Sequence, residues 1–304
     1  HLGELVVQAA LELALSDMLA RHGQPMCDDG GGLREAHFGV LGYGKLGGLE
    51  LGYGSDLDLV FIHDSAGEQQ QTDGERPLDN AIFFGRLAQR LIHMLTMRTL
   101  SGSLYEVDAR LRPNGNSGQM VSSLQAFEKY QREDAWTWEH QSLLRSRAIA
   151  GPATILDKFA AVRRTALTQY VRIAELRNDV LKMRGRMRAE LDKSAADEFH
   201  IKQGRGGLVD IEFMVQCLVL ANARAHSSLI VWSDNIRQLA ALAEAGIMQP
   251  EDAENLADIY RDYRGWLHRL SLGGKSGLLP TAELGDRPAV VSGLWAHYLG
   301  SLEA

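Results

Sequence analysis

Cysteine is nearly absent: Cys27 and Cys217 are the only two in 304 residues, far apart and at no metal-ligand spacing. That excludes a disulfide framework and fits a reducing, cytoplasmic setting. Long apolar runs are missing too. No stretch approaches the roughly 18–20 residues of a membrane-spanning helix, so no membrane partner is expected. A secretory leader is not visible: His1-Leu2-Gly3-Glu4 offers neither a basic start nor a small-residue cleavage site, and a start at His instead of Met suggests a piece of something longer. Positive charge is in deficit, with 32 Lys and Arg against 39 Asp and Glu and a formal net charge of −7. A nucleic-acid substrate calls for a basic surface, so none is expected. Repeats and low-complexity tracts are also absent. What remains, 45% hydrophobic and 23% charged residues, is the composition of an ordinary soluble globular chain, long enough for two modest domains or one large one.

Periodicity divides the chain. Residues 4–21 carry apolar positions at helical spacing (Leu5, Ala9, Leu13, with Val6 and Ala10 beside them) and predict an amphipathic helix. Gly23–Gly32 reads as a loop, Phe38–Leu41 as a short strand, Gly42–Gly54 as a glycine-rich turn, and Leu57–Ile62 as a second strand. Ala66–Arg76 is polar and reads as a surface loop. A long helix is expected over about Leu78–Arg98, burying Phe83, Phe84, Leu87, Ala88, Leu91, Ile92 and Leu95. Ser103–Ala109 alternates as a third strand, and Pro113–Gly118 turns the chain. Beyond Gly151 the pattern is almost wholly helical, with Ser233 able to cap a helix at Asp234 and Pro250 suited to the first turn of the next. The expected class is α+β, divided as an N-terminal helix and loop (1–33), a mixed unit (34–150) and an all-helical unit (151–304).

The chemistry concentrates in Gly47-Gly48, Ser55-Asp56-Leu57-Asp58-Leu59 and Val107-Asp108-Ala109. Residues two apart on a strand point the same way, so Asp56 and Asp58 share a face while Leu57 and Leu59 enter the core. Two carboxylates side by side repel unless a cation lies between them. Mg²⁺ suits such a site, taking hard oxygen ligands from one or two carboxylates and substrate phosphates. Asp108 can supply a third carboxylate if its strand pairs beside the first, and three such groups can hold two metals about 3.5–4 Å apart.

Other motifs fall away. Gly42-Tyr43-Gly44-Lys45-Leu46-Gly47 matches the dinucleotide-binding G-x-G-x-x-G, with Asp64 ending the next strand. Gly48, Gly52 and Gly54 then spoil the long helix that fingerprint needs. Asp56 and Asp58 also stand where a doubly buried parallel strand wants Val or Ile. Gly273-Gly274-Lys275-Ser276 ends like a P-loop, but Arg269 occupies the earlier glycine position. The histidines show no zinc-ligand spacing. Asp210 and Glu212, two apart on an expected helix, point to nearly opposite faces and form no metal pair; one can face a cleft while the other caps or salt-bridges. Trp136 and Trp138 read as packing anchors more readily than as an adenine slot.

The order strand, Gly-Gly, short helix, Ser-Asp-x-Asp strand, long helix, strand with Asp resembles the DNA-polymerase-β-like nucleotidyltransferase superfamily. Gly42 to Leu51, Ser55 to Phe61 and Asp108-Ala109-Arg110-Leu111-Arg112-Pro113 resemble, more narrowly, the signature of the bacterial glutamine synthetase adenylyltransferases. Those enzymes carry two related halves, one removing AMP by phosphorolysis and one adding it. Tyr105 to Asp108, Ala135 to Gln141, Gly206 to Phe213 and Trp232 to Asn235 resemble the C-terminal, adding half. The resemblance runs from about His37 to Gly246 and thins thereafter.

It implies a nucleotidyltransferase domain followed by a helical bundle, with Asp56, Asp58 and Asp108 binding Mg²⁺ and Asp108 helping to deprotonate a tyrosine of glutamine synthetase. That oxygen would attack the α-phosphorus of ATP and expel pyrophosphate. Gly47, Gly48 and Ser55 would approach the triphosphate, while Lys45, Arg110 and Arg112 are candidates to neutralise phosphates. The family also implies glutamine and the PII signal protein as regulators. Two alternatives stay open: the AMP-removing half or a related uridylyltransferase, and a regulatory module that binds nucleotide or partner without turnover.

Overall fold

The computed structural model describes residues 2–98, 100, 102 and 104–300. Helices and small sheets mix in a chain that divides into two compact units. One comprises residues 1–51 and 55–166, the other residues 52–54 and 167–304.

In the first unit, α1 (Leu2–His22) buries Gly3, Val7, Leu11, Ala14 and Met18. This differs from the expected face, and Leu5 and Leu13 are exposed. The helix is apolar around most of its circumference, so spacing alone selects more than one stripe. The segment read as a loop contains strand β1 (Pro25–Asp28), followed by β2 (Leu33–Glu35). The polar stretch read as a surface loop contains β5 (Glu68–Thr72), which pairs antiparallel with β1. In this small sheet only Pro25, Cys27 and Thr72 are buried. Backbone pairing therefore holds it with little apolar pattern to announce it, and the buried Asn80 amide ties it down through Met26 O at 2.8 Å.

The larger sheet is built on β3 (Phe38–Gly42) and β4 (Leu57–His63), antiparallel to each other, as expected from their apolar runs. The short helix α2 (Gly44–Gly47) fills the glycine-rich turn between them, and α3 (Asn80–Thr96) follows, capped by Asp79. Phe83, Phe84, Leu87, Ala88, Leu91 and Leu95 are buried as the period predicts, with Ile92 half-buried. Phe38 stacks on both Phe61 and Phe84 at 5.8 Å between ring centroids. The third strand is shorter than expected: β6 covers only Val107–Asp108, although Tyr105, Val107 and Ala109 all pack on the core. Its expected start, Ser103, lies outside the described residues. Both β6 and β7 (Val121–Ser123) pair parallel with β4 along its length. Helices α4 (Leu124–Glu133) and α5 (Thr137–Leu144), then β8 (Arg147–Ala150) against the far side of β3, and α6 (Ala153–Thr165) complete the unit.

The second unit contains α7 (Ile173–Leu191), β9 (Glu198–His200), α8 (Leu208–Asn222), α9 (Asn235–Glu244), α10 (Pro250–Leu272), β10 (Leu278–Pro280), α11 (Thr281–Leu284) and α12 (Arg287–Leu299). It is mostly helical, with one departure from the expected pattern: β9 and β10 form an antiparallel pair. Pro250 opens α10 as expected. The cap of α9 is Asp234 instead of Ser233, its carboxylate accepting from Arg237 N at 3.0 Å.

Candidate active site

The site begins where β3 runs into the glycine-rich turn. Tyr43 N donates to Asp58 O at 2.9 Å, which fastens the start of α2 to β4. Gly44 has φ +53°, and a Cβ there would run into the Asp58 carboxylate. Backbone and carboxylate can approach this closely only because residue 44 has no side chain. Gly47 sits against the backbone oxygens of Arg145 and Gly42, and Gly48 against the Arg145 guanidinium. The N–H groups of Gly47 and Gly48 are used inside the turn, donating to Tyr43 O and Gly44 O at 2.9 Å.

Two arginines that sequence reasoning missed lock this turn. Arg145 forms a buried ion pair with Glu50. Arg147 donates Nε to Gly47 O at 2.7 Å and Nη2 to Leu46 O at 3.2 Å, and pairs with Glu4. An arginine offers several donors in a fixed fork, so one side chain can satisfy the orphan carbonyls ending a short helix. No local motif marks either residue; only the distant partner Glu4 or Glu50 reveals the role.

The carboxylates meet on β4 and β6. The parallel register pairs Leu57 with Val107 and Asp58 with Asp108. Side chains directly opposite in a sheet share a face, so Asp58 and Asp108 are neighbours. Asp56 is exposed and immediately precedes β4. Burial, then the charges of Asp108 and Asp56, push the Asp58 pKa up to about 6. Burial and like charge both disfavour the ionised form. The opposite holds at Asp108: hydrogen bonds from Arg110 keep its carboxyl below the usual carboxylate range despite partial burial. Arg110 reaches Asp108 through Nε at 2.8 Å, Nη2 at 2.5 Å and its own backbone N–H at 2.8 Å.

The remaining expected residues divide. Lys45 Nζ lies 3.4 Å from Ser55 Oγ, and its charge acts on Asp58, so both border the carboxylates. Arg112 is occupied with its own loop, donating to Ala109 O at 2.6 Å and more weakly to Gly118 O and Asn116 O. Among the described residues, no group of three or more His, Cys, Asp or Glu is arranged to hold a metal ion. Arg110 supplies the positive charge beside Asp108. The donor set nonetheless fits Mg²⁺ in kind: three hard carboxylates, one of them destabilised as an anion by burial and then by the other two.

Trp136 is 64% exposed and Trp138 36%, so neither is the packing anchor that was expected. Asp210, in α8 of the second unit, is a buried structural acceptor held by Arg184, Arg188 and Gly206 N. Glu212 accepts from Tyr260 Oη at 3.1 Å, and Asn235 donates to the same hydroxyl at 2.8 Å. The Asp-Ile-Glu and Trp-Ser-Asp-Asn segments therefore meet in a polar network within the second unit.

The family model described as glutamate-ammonia ligase adenylyltransferase matches residues 1–162, and that described as GlnD PII-uridylyltransferase matches residues 174–277. Similar relatives are the bifunctional glutamine synthetase adenylyltransferase/adenylyl-removing enzymes of Thioalkalivibrio sulfidiphilus, Hahella chejuensis and Acinetobacter baylyi. The first is 49% identical over 98% of this chain and 31% of its own length, the second 47% over 97% and 31%, the third 45% over 98% and 33%. The chain spans about a third of the length of the curated relatives it matches. With a glycine turn locked against an aspartate strand and that family's model covering more than half of its residues, the chain belongs to the glutamate-ammonia ligase adenylyltransferase family.

Proposed function

We propose that the chain transfers AMP from ATP to a tyrosine of glutamine synthetase, releasing pyrophosphate and so regulating nitrogen assimilation. The observation that carries this reading is the pairing of Asp58 with Asp108 on adjacent parallel strands, beside Asp56 and against the Gly44 backbone. In this reading the first unit carries a polymerase-β-like nucleotidyltransferase domain and the second a helical-bundle domain. The tyrosine oxygen forms a bond to the α-phosphorus in line with the departing pyrophosphate, whose bridging P–O bond breaks. Arg110 keeps Asp108 ionised, the form that can take up the hydroxyl proton, while lowering its basicity. Lys45 and Ser55 border the carboxylates where phosphates would lie, while Gly47 and Gly48 let the turn approach closely. Arg110 pairs with Asp108 but its side chain is 70% exposed, which leaves it more open to phosphate than Arg112, which holds its loop. Mg²⁺, held by Asp56, Asp58 and Asp108, would supply neutralisation of phosphate charge. The chemistry is positioning and charge compensation throughout.

The relatives' names join adenylylation with adenylyl removal, so the AMP-removing reaction is the second reading. Regulation by glutamine and the PII protein belongs to the same proposal. The test incubates the chain with Mg²⁺, α-labelled ATP and unmodified glutamine synthetase, beside an Asp56→Asn/Asp58→Asn control. Label on the synthetase with pyrophosphate release, lost in the control, supports adenylylation. Phosphate-dependent loss of AMP from modified synthetase, with ADP released, moves the assignment to the removing reaction. Neither reaction, with ATP still bound, defeats both.

A further inference from the structure

The helical unit contains a small cavity of about 160 Å³ that the reaction above does not use. It is lined by Leu181, Arg184, Gly185 and Arg188 of α7, Arg205, Asp210 of α8, and Ser292, Trp295 and Ala296 of α12. The α7 residues recur at helical spacing, as do those of α12, so each helix turns one face to the cavity. Gly185, Ser292 and Ala296 are small, which leaves space where larger side chains would close the gap. At roughly 30 Å³ per water, the volume holds on the order of five waters or one small molecule.

The charge around this space is unbalanced. Among the described lining residues, three guanidiniums accompany one carboxylate. Asp210 already accepts from Arg184, from Arg188 Nη2 at 2.9 Å and 3.0 Å, and from Gly206 N at 2.7 Å. Arg184 is 1% exposed and spends its remaining reach on Gln203, at 2.7 Å to the backbone oxygen and 3.2 Å to the side chain. Arg188 Nε is buried and has no hydrogen-bond partner. Arg205 is exposed and has no ion pair or hydrogen bond among the described residues. Asp192, the nearby carboxylate felt by Arg184, is turned to Ser194, accepting from its N at 3.0 Å and its Oγ at 2.6 Å. This arrangement leaves positive charge along the cavity that an anion entering it would complement.

We propose that this cavity binds a small oxyanion, a carboxylate or a phosphate, with Arg188 and Arg205 as its donors. Arg184 and Asp210 are the fixed frame: Asp210 orients Arg188, and Arg184 is too committed to move. Guanidinium forks match both ligand classes, whose common feature is a pair of oxygens on one centre. Trp295 supplies an apolar wall for whatever carbon the ligand carries.

Calorimetric titration of the chain with inorganic phosphate and, separately, with malonate at constant ionic strength tests the proposal. Three proteins are compared: the unaltered chain, Arg205→Gln, and Lys45→Ala, which weakens the nucleotide site of the first unit. Arg205 is chosen because its exposed side chain pairs with nothing, so the fold survives its loss; an unchanged melting temperature verifies this. The expected result is saturable one-to-one binding of at least one anion, weakened about tenfold or more in Arg205→Gln and retained in Lys45→Ala. Preference for phosphate or malonate identifies the ligand class. Absence of saturable binding by both anions overturns the proposal, as does equal binding by Arg205→Gln. Loss confined to Lys45→Ala assigns the anion to the nucleotide site and overturns it too.

Discussion

At Asp58 stability and function pull in opposite directions. Its folded pKa of about 6 lies above the ordinary value of 3.8, chiefly through burial and then through Asp108 and Asp56. A raised carboxyl pKa means the folded state holds the proton more tightly than the unfolded state, so stability falls as pH rises through 6. Asp58→Asn cannot ionise and escapes this loss. It should melt higher than the unaltered chain at pH 8 without divalent cations, by about 1 kcal/mol once solvent screening is allowed for, and no higher at pH 4. AMP transfer should fall by about 10²–10³-fold or more. An equal melting difference at both pH values would sink the charge argument.

His63 titrates with the other sign. Burial pushes its pKa down to about 4, while the ring stacks on Phe84 at 4.9 Å and accepts from Ser65 N at 3.2 Å. Its neutral form favours folding, so this contribution is whole above about pH 6.5 and is lost as pH falls toward 4. The amount at stake is up to about 3 kcal/mol. Because Asp58 opposes it over part of that window, the comparison belongs in an Asp58→Asn background. There, His63→Gln should flatten the decline of unfolding free energy between pH 6.5 and 4.5, and parallel slopes would contradict this.

At the scale of elements, the turn carrying α2 separates two kinds of glycine. At Gly47 a Cβ would meet the backbone oxygens of Arg145 and Gly42, which cannot yield without moving β3 or the segment before β8. Gly47→Ala should therefore destabilise the unit by about 2–3 kcal/mol, lowering its melting temperature by about 4–12 °C. At Gly44 the obstacle is the end of a side chain, Asp58, and the positive φ costs Ala only about 1–2 kcal/mol. Gly44→Ala should melt closer to the unaltered chain yet lose most AMP transfer, because Asp58 must swing aside. The reverse order of damage would mean that Gly44 is structural and Gly47 catalytic. Elements with strong apolar periods were legible in sequence: β3, β4 and α3 stand where alternation and the 3.6 repeat put them. The polar sheet of β1, β2 and β5 was not, because backbone pairing leaves no mark on side-chain type. Asp58 and Asp108 could be named from spacing, but their pairing is a register between strands fifty residues apart. Arg145 and Arg147 were invisible for the same reason, since their partners Glu50, Gly47 and Glu4 are supplied by the fold.

At the scale of the whole molecule, the question is where the first unit ends. Sequence pattern changes at Gly151, where the helical half begins, yet α6 lies beyond that point and packs into the first unit. Ile155 lies against Gly39 of β3, Phe159 meets Phe127 edge-on at 6.0 Å, and Lys158 Nζ reaches the buried Asp64 at 2.6 Å. Burial alone would raise the pKa of Asp64, but the His37 N–H and Lys158 more than offset it, so the net shift is downward and the pair contributes stability at neutral pH. Arg163 caps α5 from the same helix, donating to Leu143 O at 3.2 Å and Leu144 O at 2.6 Å. Removing α6 would uncover the apolar surface of Ile155, Phe159 and Val162 partners, about 1.5–3 kcal/mol for each side chain, and strand Asp64 without its lysine. A fragment of residues 1–166 should therefore unfold in one cooperative thermal transition, whereas a fragment of residues 1–151 should lack such a transition or aggregate. Circular dichroism melts of the two decide it: equal cooperativity would place the boundary at Gly151 and make α6 part of the helical domain after all.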